Sequence, residues 1–150
     1  MVSGTSDRVT EHTPESLNEG IRRDIDNNVR HYAAHPDEID TRLAELDREW
    51  DIERTLEANA STLAFCGTVL GTTVDRRWLA LPALVTAFLF QHAVQGWCPP
   101  LPILRKLGFR TIKEIDTERF ALKALRGDFG KIDGETPVSR ASAALQGVRR

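Results

Sequence analysis

A stretch free of charge runs from residue 58 to residue 104, broken only by Asp75-Arg76-Arg77. The break leaves a 17-residue uncharged segment (58–74) and a 27-residue one (78–104). A membrane-spanning helix takes about 20 mostly apolar residues. Two such segments joined by a short charged turn predict a helical hairpin embedded in a bilayer. This feature fixes the solvent in which the middle of the chain folds before any other residue is read.

The rest of the chain divides around it. Residues 1–57 hold 7 basic and 15 acidic side chains, residues 58–104 two and one, and residues 105–150 eleven and six. An acidic arm, an apolar middle and a basic arm therefore sum to a net charge of −2. That near-neutral total points away from nucleic-acid binding. Two cysteines in 150 residues are no disulfide framework. The polar start predicts no cleavable signal peptide.

The expected fold is all-α: two short transmembrane helices flanked by cytoplasmic amphipathic helices. Residues 1–12 read as a disordered tail and 13–57 as an acidic helical arm. Residues 58–98 form the hairpin, 99–129 a proline turn and a basic amphipathic helix, and 130–150 a second disordered tail. Thr13-Pro14 suits a helix start, with Thr13 as N-cap and Pro14 at the first helical position, and Leu17, Ile21, Ile25 and Val29 then form one stripe. Pro36 opens a second helix. There Ile39, Leu43, Leu46 and Trp50 recur at 4-3-4 spacing, the seam of a coiled-coil-like face. No Gly or Pro interrupts residues 37–66, so one continuous helix is expected from Pro36 to about Val74. Downstream, Gly108 is expected to stop a short helix. Thr111 and Glu114 have capping-box spacing, and Gly127 should end the last helix, which carries Ile115, Leu122, Leu125 and Phe129 on one side.

Three features favour a membrane hairpin over a soluble helical bundle built on the same segments. The second segment is apolar nearly all round, from Leu79 and Leu81 to Phe90 and Val94, where a soluble helix would show a polar face. Trp78 and Trp97 flank it as interfacial aromatics do. Gly67 and Gly71 form a GxxxG pattern, extended by Ala60 and Ala64, and small residues let helices approach closely in lipid. The soluble alternative rests on Asn59, Ser61, Thr62, Thr68, Thr72 and Thr73, which dilute the first segment.

Basic residues set the orientation. Arg42, Arg48, Arg54, Arg105, Lys106, Arg110 and Lys113 flank the hairpin, against Arg76 and Arg77 in the turn. The positive-inside rule then puts both termini in the cytoplasm. The acidic and basic arms leave on the same side, and their opposite charge predicts that they dock. The expected partners are the lipid bilayer and a second copy of the chain, through Ile39, Leu43, Leu46, Trp50, Ala60, Ala64, Gly67 and Gly71.

Chemistry is sparse, and no catalytic constellation, cofactor loop or metal-ligand set stands out. His31 and His35 have the spacing of a metal pair but lack a third ligand. Gln91, His92 and Gln95 make a polar patch late in the second helix, read as interhelical hydrogen bonding or as a ligand path. Counting back from the turn places His92 opposite Ala60, beside Asn59 and Ser61. Cys66 reads as helix filler. Cys98, near Arg105 and Lys106, is the one weak catalytic candidate, a thiolate if those cations lower its pKa. The same counting offsets Cys66 from Cys98 by about 12 residues, or about 18 Å at 1.5 Å per residue. A disulfide tolerates at most about 7 Å between Cα atoms.

Gly96-Trp97-Cys98-Pro99, followed by Leu101, Leu104, Leu107-Gly108 and Thr111, resembles the YgaP-like transmembrane domain, a small bacterial inner-membrane hairpin of unknown function. The resemblance covers roughly residues 55–111 and implies inner-membrane location, with a Gly-x-Cys-Pro turn closing the second span. Some members carry a rhodanese domain before the hairpin, which implies sulfur handling. Residues 1–57 here hold no cysteine and read as helices. The expected role is a structural or interaction anchor. A thiol- or sulfur-handling protein acting through Cys98 is the alternative, and a soluble bundle is the second.

Overall fold

The computed structural model describes residues 4–130, and every regular element among them is helical. The helices are α1 (Thr5–Glu11), α2 (Glu15–Ala34), α3 (Ile39–Leu46), α4 (Ile52–Thr73), α5 (Ala80–Gln95), α6 (Leu101–Lys106) and α7 (Ile112–Arg126). Short 3-10 turns, Pro36–Glu38 and Arg76–Leu79, precede α3 and α5. The described residues form two compact units, one from 4–21 and 50–113, the other from 22–49 and 114–130. The tail expected at 131–150 lies outside the described residues.

The first unit contains the hairpin. Asp51 caps α4, its carboxylate accepting the Arg54 N–H at 2.6 Å, and the Ile52 N–H donates to the Arg110 carbonyl at 3.0 Å. Val74 ends α4, and Asp75 caps the 3-10 turn by accepting the Arg77 N–H at 2.8 Å. The charged triplet is thus the hairpin turn, as the sequence predicts. Close contact beside the turn depends on two glycines. A Cβ on Gly67 would lie 2.6 Å from Pro82 Cδ, and one on Gly71 would lie 2.5 Å from Leu79 Cδ2. Gly96 then ends α5 in the left-handed region (φ 75°), and α6 and the Gly108 stop (φ 88°) follow as expected.

Residues 5–11 are a helix, which corrects the reading of 1–12 as a disordered tail. Val9 is fully buried among Ile52, Leu56, Cys98, Leu101 and Leu104, with Trp97 and Phe109 packed alongside. One apolar residue among polar neighbours carries no periodic signal, yet its burial stabilises by about 1.5–3 kcal/mol. The Arg8 backbone and Cβ press so closely on Gly96 that a side chain there would collide with them. Asp7 accepts an ion-paired hydrogen bond from Lys113 at 2.5 Å. Thr13 does not act as the expected cap; its hydroxyl donates to the Val9 carbonyl at 2.7 Å and accepts from Arg105 Nε at 3.1 Å. Arg105 is itself buried, and it also donates to Asn18 Oδ1 at 2.9 Å and to the Phe109 carbonyl at 3.2 Å.

The second unit joins parts of α2, α3 and α7. Ile39, Leu43 and Leu46 of α3 meet Ile115 and Leu122 of α7, with Tyr32 against them. At its centre Glu118 of α7 is fully buried and accepts from Arg42 Nε at 2.8 Å and from Asn28 Nδ2 at 3.1 Å. Asp40 pairs with Arg126, and Asp47 with Arg119 at 3.2 Å. The expected docking of acidic arm on basic arm is therefore present in α3 and α7. The expected single helix from 36 to 74 is not: α3 stops at Leu46 and α4 restarts at Ile52. Asp51 is a better cap than an interior residue, and it gives the chain a new helix start.

Candidate functional site

The hairpin packs tightly at its turn and leaves space at its other end. On α4, Leu56, Asn59, Ala60 and Leu63 recur at i, i+3, i+4, i+7, one helical face. On α5, Val85, Phe88, Leu89 and His92 repeat the same spacing. These two stripes line one cavity of about 430 Å³, with Thr62 on its α4 side and Cys98, Pro99, Pro100 and Leu104 closing its end. A ligand pocket typically measures about 300–1,000 Å³ and is mostly apolar with few polar groups. The lining includes no charged side chain.

His92 is the unusual member. Its side chain is only 5% exposed, and neither ring nitrogen has a hydrogen-bond partner. It shares the cavity with Asn59 and Ala60, the neighbours predicted by counting back from the turn. The other members of the predicted polar patch do not join it. Gln91 donates to Gln95 Oε1 at 3.4 Å along the helix surface, and neither lines the cavity.

Cys98 is buried and its thiol is pushed up from the ordinary range by burial, against a smaller opposing effect from the Leu101 N–H. Of the two cations expected to activate it, Arg105 is directed instead to Thr13, Asn18 and Phe109. Its surroundings are those of a packed thiol, not an electropositive nucleophile. Cys66 is a free, exposed thiol on α4. His31 and His35 stack ring on ring, 4.4 Å between centroids, and among the described residues no group of three or more His, Cys, Asp and Glu could hold a metal ion.

The seam expected to dimerise is largely filled within the chain. Ile39, Leu43 and Leu46 are core residues of the second unit, while Trp50 is partly exposed with Arg54 stacked over it, 4.4 Å from the ring centroid. Gly67 and Gly71 face residues of their own hairpin, and Ala60 and Ala64 are half-buried.

The outward faces of the hairpin are apolar and bare. Phe65 on α4 is 71% exposed and Phe90 on α5 is 72% exposed, with Val69, Val74, Trp78, Leu84 and Val94 also exposed. Among the described residues one helix is long and apolar enough to cross a membrane, Arg76–Gln95, and only 6% of its apolar window is buried. The hydroxyls on these faces bond back to their own helices: Thr62 to the Ala58 carbonyl at 2.8 Å, Thr68 to Ala64 at 2.8 Å, Thr73 to Val69 at 2.7 Å and Thr86 to Pro82 at 2.7 Å. Trp97 packs against the core around Cys98.

No protein-family model, curated protein or solved structure matches the chain.

Proposed function

We propose that this is a small bacterial inner-membrane protein whose α4–α5 hairpin crosses the bilayer and anchors helices on the cytoplasmic side. The observation that carries this reading is the uncovered apolar face. A soluble protein rarely exposes a contiguous apolar patch beyond a few hundred Å², and here large apolar side chains line both hairpin helices without cover. Lipid supplies that cover. The self-bonded hydroxyls support it, because hydrocarbon offers them no other partner.

The lengths support two spans of unequal reach. Residues 76–95, at about 1.5 Å per residue, extend about 30 Å, the thickness of a bilayer's hydrocarbon core. The uncharged part of α4, residues 58–73, reaches about 24 Å on the same rise. Local thinning accommodates such a mismatch at modest cost. With seven flanking basic residues against Arg76 and Arg77 in the turn, both termini belong on the cytoplasmic side. The Gly96–Pro99 turn carries the kinship proposed with the YgaP-like family. Burial of Cys98 lends no support to the sulfur-handling alternative.

Alkaline carbonate washing of membranes from cells expressing the full chain tests the location. The protein should stay in the pellet; recovery in the supernatant would replace the anchor with a soluble bundle whose hairpin face meets a protein.

A further inference from the structure

Anchoring explains the outside of the hairpin but not the space inside it. A close-packed hairpin would fill the gap between the two stripes with side chains. Instead Gly67 and Gly71 bring the helices together near the turn, and a 430 Å³ cavity remains at the far end. A buried polar group without a partner requires an explanation, and both nitrogens of His92 are without one, in the wall of this cavity. We propose that the cavity binds a neutral single-chain amphiphile, whose apolar chain lies between the stripes and whose uncharged polar oxygen hydrogen-bonds to His92.

Size, polarity and geometry converge on that class. At about 30 Å³ per heavy atom, the volume one water occupies in the liquid, the space suits about 14 such atoms. That is too little for a partner helix, whose diameter is about 10–12 Å. The lining holds no charged side chain, and Arg8, which lies near His92 but outside that lining, is engaged with the Ala93 carbonyl at 3.2 Å; a charged head group would therefore enter an apolar site at large cost. An imidazole in its neutral form offers one donor and one acceptor. Both nitrogens are covered, so the proposed bond requires a half-turn of the ring about Cβ–Cγ, which would exchange them with the ring carbons. The inference goes beyond the anchor and stands on the cavity alone.

The probes are 1-dodecanol, with 13 heavy atoms, and dodecane, which has the chain without the oxygen. They are titrated onto the full-length ¹⁵N-labelled chain, in nanodiscs if carbonate leaves it in the pellet and in buffer if it is released. The imidazole resonances are followed, with His92 identified by its loss in His92→Leu. The His92 signal should move saturably with dodecanol and not with dodecane. His92→Leu should cut the preference for the alcohol on the order of fivefold, the worth of one net hydrogen bond. Ala60→Phe and Leu63→Trp, which fill the cavity from α4, should each abolish saturation; if one loses the native spectrum, the other decides. A shift that only rises linearly with dodecanol, saturation that survives cavity filling, or tighter binding of dodecanoate would overturn the site. None of these results bears on whether the protein pellets, so the site and the anchor fail separately.

Discussion

Replacing Gly67 by alanine should destabilise the hairpin, although alanine is the better helix former. Intrinsic propensity favours the substitution by about 1 kcal/mol in a helix interior. The new Cβ, however, would sit 2.6 Å from Pro82 Cδ, 3.1 Å from Leu81 Cβ and 3.2 Å from Leu81 Cδ2. The proline ring cannot rotate away, and the Leu81 Cβ moves only with its backbone. Overpacking of this kind costs about 1–3 kcal/mol. Because neither obstacle can move without the backbone, the clash belongs in the upper part of that range, and the net expectation is a loss of about 1–2 kcal/mol. Gly71→Ala is the internal control. Its nearest obstacle is the exposed Leu79 side chain, at 2.5 Å and 2.7 Å, which can swing outward and leave the milder contact with the Leu79 backbone nitrogen at 3.1 Å, so Gly71→Ala should lose less than Gly67→Ala. It should lie within about 1 kcal/mol of the parent. Thermal unfolding in mild detergent, followed by circular dichroism at two protein concentrations tenfold apart, measures both. The Gly67→Ala loss should be the same at both concentrations, because the contact lies within one chain. A Gly67→Ala protein as stable as its parent, or a deficit that grows on dilution, would refute close packing within the hairpin and restore the glycine face to an intermolecular role.

Two further outcomes follow from the buried polar groups. Glu118→Ala should cost about 1–3 kcal/mol, because Asn28 and Arg42 lose a buried acceptor while Arg42 keeps its partner Glu45 at 3.0 Å, whereas Glu118→Gln, which retains an acceptor, should cost clearly less; equal losses in urea unfolding would contradict the central role of that carboxylate. Burial raises the Cys98 thiol above its ordinary pKa, so its contribution to stability is complete below the ordinary thiol range near 8.5 and is lost as pH rises beyond it. Cys98→Ala should therefore flatten the alkaline limb of the stability–pH profile; an unchanged limb would show that the thiol is not buried in the folded state.

The legible parts of this fold are those with local signals. Asp75 and its two arginines mark the turn because charge is rare in a long apolar run, and the glycines at 108 and 127 mark helix ends because each adopts positive φ, as Gly96 also does at the end of α5, where no stop is expected from the glycine itself. The docking of α3 on α7 followed from opposite net charge and two apolar stripes. What escaped the sequence were arrangements made by distant residues. Val9 reads as an isolated valine until residues 98–104 surround it. Arg105 reads as a flanking cation, and only the fold turns it inward to Thr13 and Asn18. The break between α3 and α4 carries no Gly or Pro; it depends on the choice of Asp51 to cap. The cavity was half legible. Val85, Phe88, Leu89 and His92 share one face by spacing alone, and register counting put His92 against Ala60. That the two stripes leave a gap is a matter of side-chain volume and helix approach, which no periodicity encodes.

The tucking of α1 beneath the far end of the hairpin also bears on the order in which the chain acquires its structure. Helix α4, the turn and α5 are neighbours in sequence and can pair as soon as they are made. Val9, by contrast, waits for residues 98–104, and Asp7 for Lys113. The second unit waits longer still, since its α3 core is completed by Leu122. Contacts between such distant residues are slow to form because the intervening loop must close first. During synthesis α1 therefore emerges with little more than Asn18 to hold it, through the Thr10 carbonyl, until residues 98–104 complete the pocket around Val9.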